Sequence, residues 1–525
     1  MKKKIRLACL IAFIAILVYL PALQNGFVNW DDEAYVVDNL AIRSLNIDFL
    51  RWAFFRFTAS NWHPLTWISH AVDYALWGLN PFGHHLTSII FHGLNTFLVV
   101  LLSVKLLDKA RRGRVLVPAA ITGLLFGIHP VHVESVAWVS ERKDVLYAFF
   151  YLLSLLSYVK YVETAKEKNA GTSIPRIYLN YSYLCTLALF MLSLLSKPMA
   201  ITLPIVLLIL DWYPFGRFEA GKSFKVIALE KLPFVLLSLL SGIVTLMAQN
   251  SGTFHTISLE KLPLLTRILV AFRSIFLYIE NILIPLNLIP LYRYPRDVSF
   301  SSPAYLVPML LFAGVTALCI LSMKKRKYLL AAWAFYIVSL LPVLGIIQVG
   351  RQPMADRYVY LALLGPAIMI GLLVEYIYRK SDRPSGYKRL LRAALIGSIA
   401  VILGGLALVS TKQMRIWKDG VTLWTYEVGV EPQFPEAYQR RANALRKRGN
   451  FAGAITDYTK AIGLDPFSEP NYYDDRGICY ANLGFFREAL KDFDTAIFMN
   501  PNEPIYRKNR ENALRDMERF QKGGH

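Results

Sequence analysis

Cysteine is scarce, four residues in 525, and no Cys-x-x-Cys pair occurs. Cys9, Cys185 and Cys319 lie inside apolar runs and Cys479 lies near the C-terminal end, so no local disulfide framework is visible and redox chemistry has no support. A glycine-rich phosphate loop and a Ser-His-Asp order are also lacking, which leaves nucleotide hydrolysis without a basis. Charge is thin: 18% of residues are charged against 55% hydrophobic, and acids are outnumbered 37 to 58. A net charge of +21 would suit nucleic acid, but the Lys and Arg residues fall mostly in short loops between apolar runs, where they report membrane orientation. Nucleic-acid binding is therefore set aside. No Ala-x-Ala cleavage pattern follows the leading MKKKIRLACLIAFIAILVYL, so this segment reads as an uncleaved signal anchor.

What the chain has in quantity is apolar sequence of membrane-crossing length, and the fold class that follows is all-α and polytopic. About eleven spans are expected, at 5–23, 84–107, 115–128, 145–162, 177–196, 198–212, 232–249, 305–323, 328–349, 358–377 and 390–409. Residues 267–286 are interrupted by Arg267, Arg273 and Glu280 and read as an interfacial helix. The basic clusters at 108–114 and 324–327 then share one side, which places the N-terminus in the cytoplasm and the C-terminus outside. Few repeats and short loops suit a bacterial inner membrane. In the first outward loop, about 24–83, Phe49, Trp52, Ala53 and Phe57 recur at helical spacing, as in an amphipathic helix resting on the membrane.

Composition changes near residue 413, dividing the chain into a membrane domain, 1–412, and a C-terminal domain, 413–525, expected outside the cytoplasm. Tyr438, Ala442, Leu445, Gly449, Ala454, Tyr458, Ala461 and Pro466 match Tyr473, Gly477, Tyr480, Gly484, Ala489, Phe493, Ala496 and Pro501 position for position. Such self-similarity marks tetratricopeptide repeats at about 435–468 and 470–503, with a capping helix at 504–520. They offer a surface for an acceptor protein or glycan.

Three polar constellations fall on the non-cytoplasmic side under this topology. They are Asp31, Asp32 and Glu33 in NGFVNWDDEAYVVDN, then HPVHVESVAWVSERKD at 129–144, and RQPMADRYVY at 351–360. Carboxylates beside lipid are costly unless solvated, paired or used, so Asp32, or its neighbour Asp31, is the expected base for an acceptor hydroxyl. A lipid-phosphate donor needs cations, and Arg142, Arg357, Lys143 and Arg351 are the expected phosphate ligands. Glu33, His129, His132 and Glu134 would position donor or acceptor. Plainer roles compete: headgroup anchoring for Arg142 and Lys143, helix capping for the aspartates. His129 with His132, and His84, His85 and His92, make a weak metal pattern, because zinc sites carry a firmer ligand set; no metal site is assigned.

The segments NGFVNWDDEAYVVDN, HPLTWISHAVDYALWGLNPFGHHLTSIIFHGLN, HPVHVESVAWVSERKD and MADRYVYL, followed by C-terminal repeats, resemble the transmembrane and tetratricopeptide-repeat-containing protein O-mannosyltransferases of the wider GT-C class. That resemblance implies transfer of a sugar, a mannose-like hexose among those admitted, from a polyprenyl- or dolichyl-phosphate donor to an acceptor outside the cytoplasm such as protein Ser/Thr. It also implies that an acid of the first loop is central. Asp31 and Asp32 sit where the family's paired acids sit, whereas Glu141 stands where a small residue is expected. Two rival classes remain at this level: a non-catalytic membrane scaffold whose repeats recruit partners, and a transporter. The transporter reading is disfavoured because most acids lie in loops and no inverted repeat is evident.

Overall fold

A chain in lipid has no water to satisfy its main chain, so long apolar runs must close their hydrogen bonds internally as helix. The computed structural model bears this out: no β-strand occurs among the described residues, which are 2–110, 115–167, 178–218, 224–251, 262–295, 297–347, 352–380, 386–467 and 469–523. The chain divides into two units, one of Met1–Asn25 with Ala34–Arg415, the other of Gly26–Glu33 with Ile416–His525.

The first unit begins with α1 (Lys2–Tyr19), followed by two helices of the outward loop, α2 (Ile47–Phe55) and α3 (Pro64–Trp77). Then come α4 (Pro81–Ala110), α5 (Leu116–Ile128), the short α6 (Val133–Ala137), α7 (Arg142–Glu167), α8 (Tyr181–Ser196), α9 (Leu203–Trp212) and α10 (Phe224–Asn250). The set closes with α11 (Leu264–Leu283), α12 (Pro303–Ser322), α13 (Lys327–Leu340), α14 (Leu364–Lys380) and α15 (Gly386–Ile416). Among the described residues six helices are long and apolar enough to cross a bilayer, and a seventh span forms if the bent pair Leu116–Ile128 and Pro130–Ala137 counts as one. The other expected crossings are shorter helices, such as Tyr181–Ser196, Pro198–Trp212 and Lys327–Val343. Proline breaks shorten them.

Amphipathic pattern decides what α11 does. Leu269, Val270, Ile275, Tyr278 and Ile282 are buried on one face, while Arg273 and Glu280 fall outside it. Ile275, Tyr278 and Ile282 pack into an apolar cluster with Leu125, Tyr336, Leu340, Val359 and Ala367, while Leu269 and Val270 pack with Tyr305. Loop helix α2 is capped by Asn46, whose Oδ1 accepts from Phe49 N at 2.8 Å, and it buries Phe49 and Ala53. Trp52 stacks between Phe49 and Trp67, but Phe57 lies past the helix end.

Two charged layers bracket α7. Near its far end Tyr158 donates to Asp211 at 2.6 Å, and Arg217 and Lys231 pair with both Asp211 and Glu230. Tyr158 lies sixteen positions after Arg142, a rise of roughly 24 Å at 1.5 Å per residue, so the two charge clusters sit near opposite faces of a bilayer.

In the second unit α16 (Gly420–Val430) precedes two helix pairs, α17 (Pro435–Lys447) with α18 (Phe451–Leu464) and α19 (Asn471–Asn482) with α20 (Phe486–Met499), then α21 (Pro504–Gly523). Each pair is riveted at the same place. Arg441 holds Asp457 through two bonds of 2.7 Å, and thirty-five residues on, Arg476 holds Asp492 at 2.7 and 2.8 Å. Gly449 and Gly484 end the first helix of each pair at φ +76° and +81°, the left-handed conformation that glycine adopts without penalty.

The acid-bearing stretch Gly26–Glu33 is a built part of this second unit. Gly26 N donates to Lys418 O at 2.8 Å, Asn29 Nδ2 to Arg440 O at 2.9 Å, and Trp424 Nε1 to Asn29 Oδ1 at 3.1 Å. Arg440 lies over the rings of Trp30 and Trp424, and Lys447 pairs with Glu33. Gly420 permits the approach, since a Cβ there would meet Asn29 Oδ1 at 1.8 Å. Asp31–Glu33 therefore fold with the repeats as parts of one unit.

Gly484→Ala isolates backbone strain, because a Cβ there meets nothing within 4 Å. It is expected to cost about 1–2 kcal/mol, read as a lower unfolding midpoint of the repeat unit in urea, whereas Gly429→Ala, equally open but at ordinary φ, costs nothing.

Candidate functional site

Glu141 is the hub of the polar cluster at the start of α7 in the first unit. Its Oε1 takes Lys143 Nζ at 3.1 Å and Arg357 Nε at 3.2 Å, and its Oε2 takes Lys197 Nζ at 3.2 Å. Lys197 also pairs with Asp144, which accepts from Ser135 Oγ at 3.0 Å. Arg357 reaches Glu134 with its guanidinium, and its own N–H donates to the same carboxylate at 2.9 Å. Three acids thus face three cations, yet they are not equally deep. The side chains of Glu141 and Asp144 are 2% and 0% exposed, whereas those of Lys143, Lys197 and Arg357 keep 9%, 11% and 9%. Cations stand in front and acids behind, an arrangement that offers positive charge to an incoming anion while remaining neutral inside.

Local sequence explains the convergence. The run ERKD starts α7, so Glu141, Lys143 and Asp144 emerge within one turn; Lys197 sits at the proline break after α8; Arg357 lies in the short helix Asp356–Val359. Burial lowers the affinity of the Arg357 guanidinium for its proton, but Glu134 and Glu141 outweigh it and hold the group charged. Burial, with Glu134 adding, pushes the Asp356 carboxyl well up; its Oδ1 accepts from Asn281 and from Tyr292, each at 2.9 Å.

Arg142, expected among the phosphate ligands, spends its donors inside the fold. Nε bonds Ser88 Oγ at 2.8 Å, Nη1 bonds Ser69 Oγ at 3.0 Å, and Nη2 serves the His84 carbonyl and Asp73 Oδ2 at 2.7 Å. It clasps α3 to α4. Similarly, His129 Nε2 bonds Ile282 O at 2.8 Å and its Nδ1 accepts from Val131 N at 3.3 Å, so this ring is taken up with the fold's own backbone, whereas His132 bonds Phe126 O through Nδ1 at 2.8 Å and its Nε2 has no hydrogen bond among the described residues. Arg351 lies outside the described residues. Among the described residues no group of three or more His, Cys, Asp or Glu side chains could hold a metal ion.

The acids divide differently from the cations, because Asp31, Asp32 and Glu33 belong to the second unit. Asp32 is buried and its Oδ2 accepts from Val28 N at 3.0 Å; Asp31 and Glu33 are half-buried. Chain continuity carries this stretch directly into Tyr35, whose hydroxyl accepts from Lys143 Nζ at 3.2 Å within the first unit. Tyr35 also lies under that ammonium, 4.7 Å from ring centre, and contacts the rings of His63, Trp67 and His70.

Lys197 was missed by sequence reasoning, as were Tyr35, His63, His70 and Asp73. For Lys197 the signal was one cation stranded between two apolar runs, SLLSKPMAITLP, where a loop lysine of orientation type would have had basic neighbours.

Fold and repeats define a polytopic all-α membrane protein ending in tetratricopeptide repeats, and the family model for the tetratricopeptide repeat matches residues 435–468. Its homologues are protein O-mannosyl-transferases of the TMTC group. The chain is 24% identical to TMTC1 of Homo sapiens, covering 87% of this chain and 55% of that protein, and 24% identical to human TMTC4, covering 85% and 64%. Mouse TMTC1 is 32% identical over 39% of this chain and 22% of its own. The chain spans less than two-thirds of the length of each. Among solved structures it is similar to ArnT from Cupriavidus metallidurans bound to undecaprenyl phosphate, at 14% identity and TM-score 0.35 over 83% of this chain and 80% of that one. An Archaeoglobus fulgidus oligosaccharyltransferase aligns at 12% identity and TM-score 0.42 over 78% and 56%.

Burial first, then the positive charge of Lys143 for His63 and of Arg142 for His70, hold both imidazoles well below their ordinary 6.5. They fold as neutral rings, so their contribution to stability is complete above about pH 6.5 and is lost as the pH falls below it. The thermal midpoint of the detergent-solubilised protein is expected to drop as the pH falls from about 7.5 to about 5, and less steeply in a His63→Gln, His70→Gln variant.

Proposed function

We propose that this chain is an integral-membrane glycosyltransferase that moves a sugar, of mannose-like hexose type, from a polyprenyl-phosphate donor to an extracytoplasmic acceptor, a protein Ser or Thr hydroxyl. The observation that carries this reading is the set of three cations, Lys143, Lys197 and Arg357, gathered on one buried carboxylate at the outer end of α7. A departing polyprenyl phosphate, a monoester that gains negative charge as its bond to the sugar breaks, needs those cations most at that point, so fixed cations favour the transition state over the ground state. The names of the homologous mannosyl-transferases support the same reaction class.

In this mechanism a carboxylate, Asp32 with Asp31 beside it, takes the proton of the acceptor hydroxyl. The freed oxygen forms a bond to the anomeric carbon while the bond from that carbon to the phosphate oxygen breaks. Its electron pair leaves with polyprenyl phosphate, whose charge is met by Lys143, Lys197 and Arg357, and the sugar carbon is inverted. Glu134 and Glu141 hold the cations in place. The repeats present the acceptor, on the same side as the acid pair, and the membrane is a bacterial inner membrane with the N-terminus in the cytoplasm.

The test is to incubate purified protein with a panel of polyprenyl-phosphate sugars and an acceptor peptide and to follow release of polyprenyl phosphate by mass spectrometry. Asp32→Asn is expected to lower turnover by at least about 100-fold, the usual worth of a general base, with insertion and repeat folding unchanged. Lys197→Met is expected to raise the donor KM about tenfold, as the loss of one charge-assisted contact does. Wild-type protein that releases no polyprenyl phosphate from any donor would sink the reading, and Asp32→Asn and Asp31→Asn variants that both keep full turnover would remove the acid pair from it.

A further inference from the structure

Four ring nitrogens close to the cation cluster are buried with no hydrogen-bond partner among the described residues: His63 Nε2, Trp67 Nε1, and both Nδ1 and Nε2 of His70. The three side chains are 1%, 0% and 0% exposed, and they gather around Tyr35, with ring centres 5.4, 4.7 and 6.2 Å from its own. Buried polar atoms are nearly always paired, and an apolar side chain at position 70 would leave no nitrogen unpaired. Such a concentration of unpaired nitrogens is therefore a cost that the fold alone does not repay. Location supplies the reason. Lys143 bonds the Tyr35 hydroxyl and pairs with Glu141, and α3, which carries Trp67 and His70, is tied by Thr66 Oγ1 to Ser196 O at 2.8 Å, one residue before Lys197.

We propose that His63, Trp67 and His70, with the Tyr35 ring as platform, form the subsite that binds the hydroxyls of the sugar ring carried by the lipid phosphate. The assignment rests on the glycosyltransferase reading above and specifies its donor site. The chemistry matches the ligand class. A sugar hydroxyl both donates and accepts; a neutral imidazole offers one nitrogen of each kind, and the indole adds a donor. Several hydroxyls on one ring could serve donor and acceptor nitrogens alike, whereas a bare lipid phosphate, which only accepts, could take the N–H donors and would leave the acceptor nitrogens unserved. Aromatic faces suit the apolar side of a pyranose. Neutrality follows from burial beside Lys143 and Arg142, which keeps both imidazoles unprotonated and so able to accept. Phosphate contacts and hydroxyl contacts then adjoin, as they must when the two groups are one bond apart.

The experiment compares binding of a polyprenyl-phosphate sugar and of sugar-free polyprenyl phosphate to the full chain in lipid nanodiscs. Wild type is expected to prefer the sugar-bearing lipid by at least about tenfold, the worth of one or two hydrogen bonds. His70→Phe and Trp67→Phe are expected to keep the affinity for the bare lipid and lose most of that preference. Trp67→Phe removes the N–H together with part of the buried indole, so it is expected to melt below wild type, and it serves where His70→Phe misfolds. Variants that retain the preference, or that weaken both lipids equally, would overturn the subsite while leaving the parent reading intact. Wild type binding both lipids equally would do the same. Failure of wild type to bind either lipid would instead overturn the glycosyltransferase reading, and the subsite with it.

Discussion

Everything at the outer end of the membrane unit hangs on the Glu141 carboxylate. Three segments far apart in the chain, the start of α7, the proline break after α8 and the short helix Asp356–Val359, each send a cation to it. A buried carboxylate without partners would be expensive, and so would three cations without one. Neither side is stable alone, so the loops that carry them are held in a single arrangement. What remains is a site whose charges are nearly cancelled within the protein but whose cations are the outermost members.

The same logic governs the other end of α7. Asp211, Glu230, Arg217 and Lys231 balance in pairs around Tyr158, with their side chains 5% exposed or less. Here each cation has two acids at close range and keeps only 5% or 3% exposure, against 9–11% for the cations around Glu141. The difference between the two clusters is one of depth. Arg142, a guanidinium with its donors on Asp73, Ser69, Ser88 and the His84 carbonyl, is a clasp.

How much of this was legible in the sequence differs by kind of feature. The repeats were plain, because a thirty-five-residue period in small residues, aromatics and glycines imposes the same local packing twice; even the Arg441–Asp457 and Arg476–Asp492 rivets recur at that period. Membrane helices were legible for a similar reason, each run satisfying its own backbone. Asp31, Asp32 and Glu33 stood out as charge at a membrane face, yet nothing local indicated that Trp30, Trp424 and Arg440 would stack and bind that stretch to the repeats. Arg142 spends its donors on Asp73, Ser69, Ser88 and the His84 carbonyl, whereas Lys197 joins the cluster around Glu141, and neither set of contacts could be read along the chain.

Sequence by itself therefore determined the class of fold, the presence of two kinds of domain and the polar segments worth attention, because periodicity and hydropathy act through bonds between near neighbours. Tertiary structure alone decided which of those charges brace the fold and which face outward, and it alone revealed the unpaired nitrogens around Tyr35. Hydrogen-bond saturation depends on everything the folded chain packs around a group, near neighbours such as Tyr35 and distant ones such as Lys143 alike, and no pattern along the chain records it.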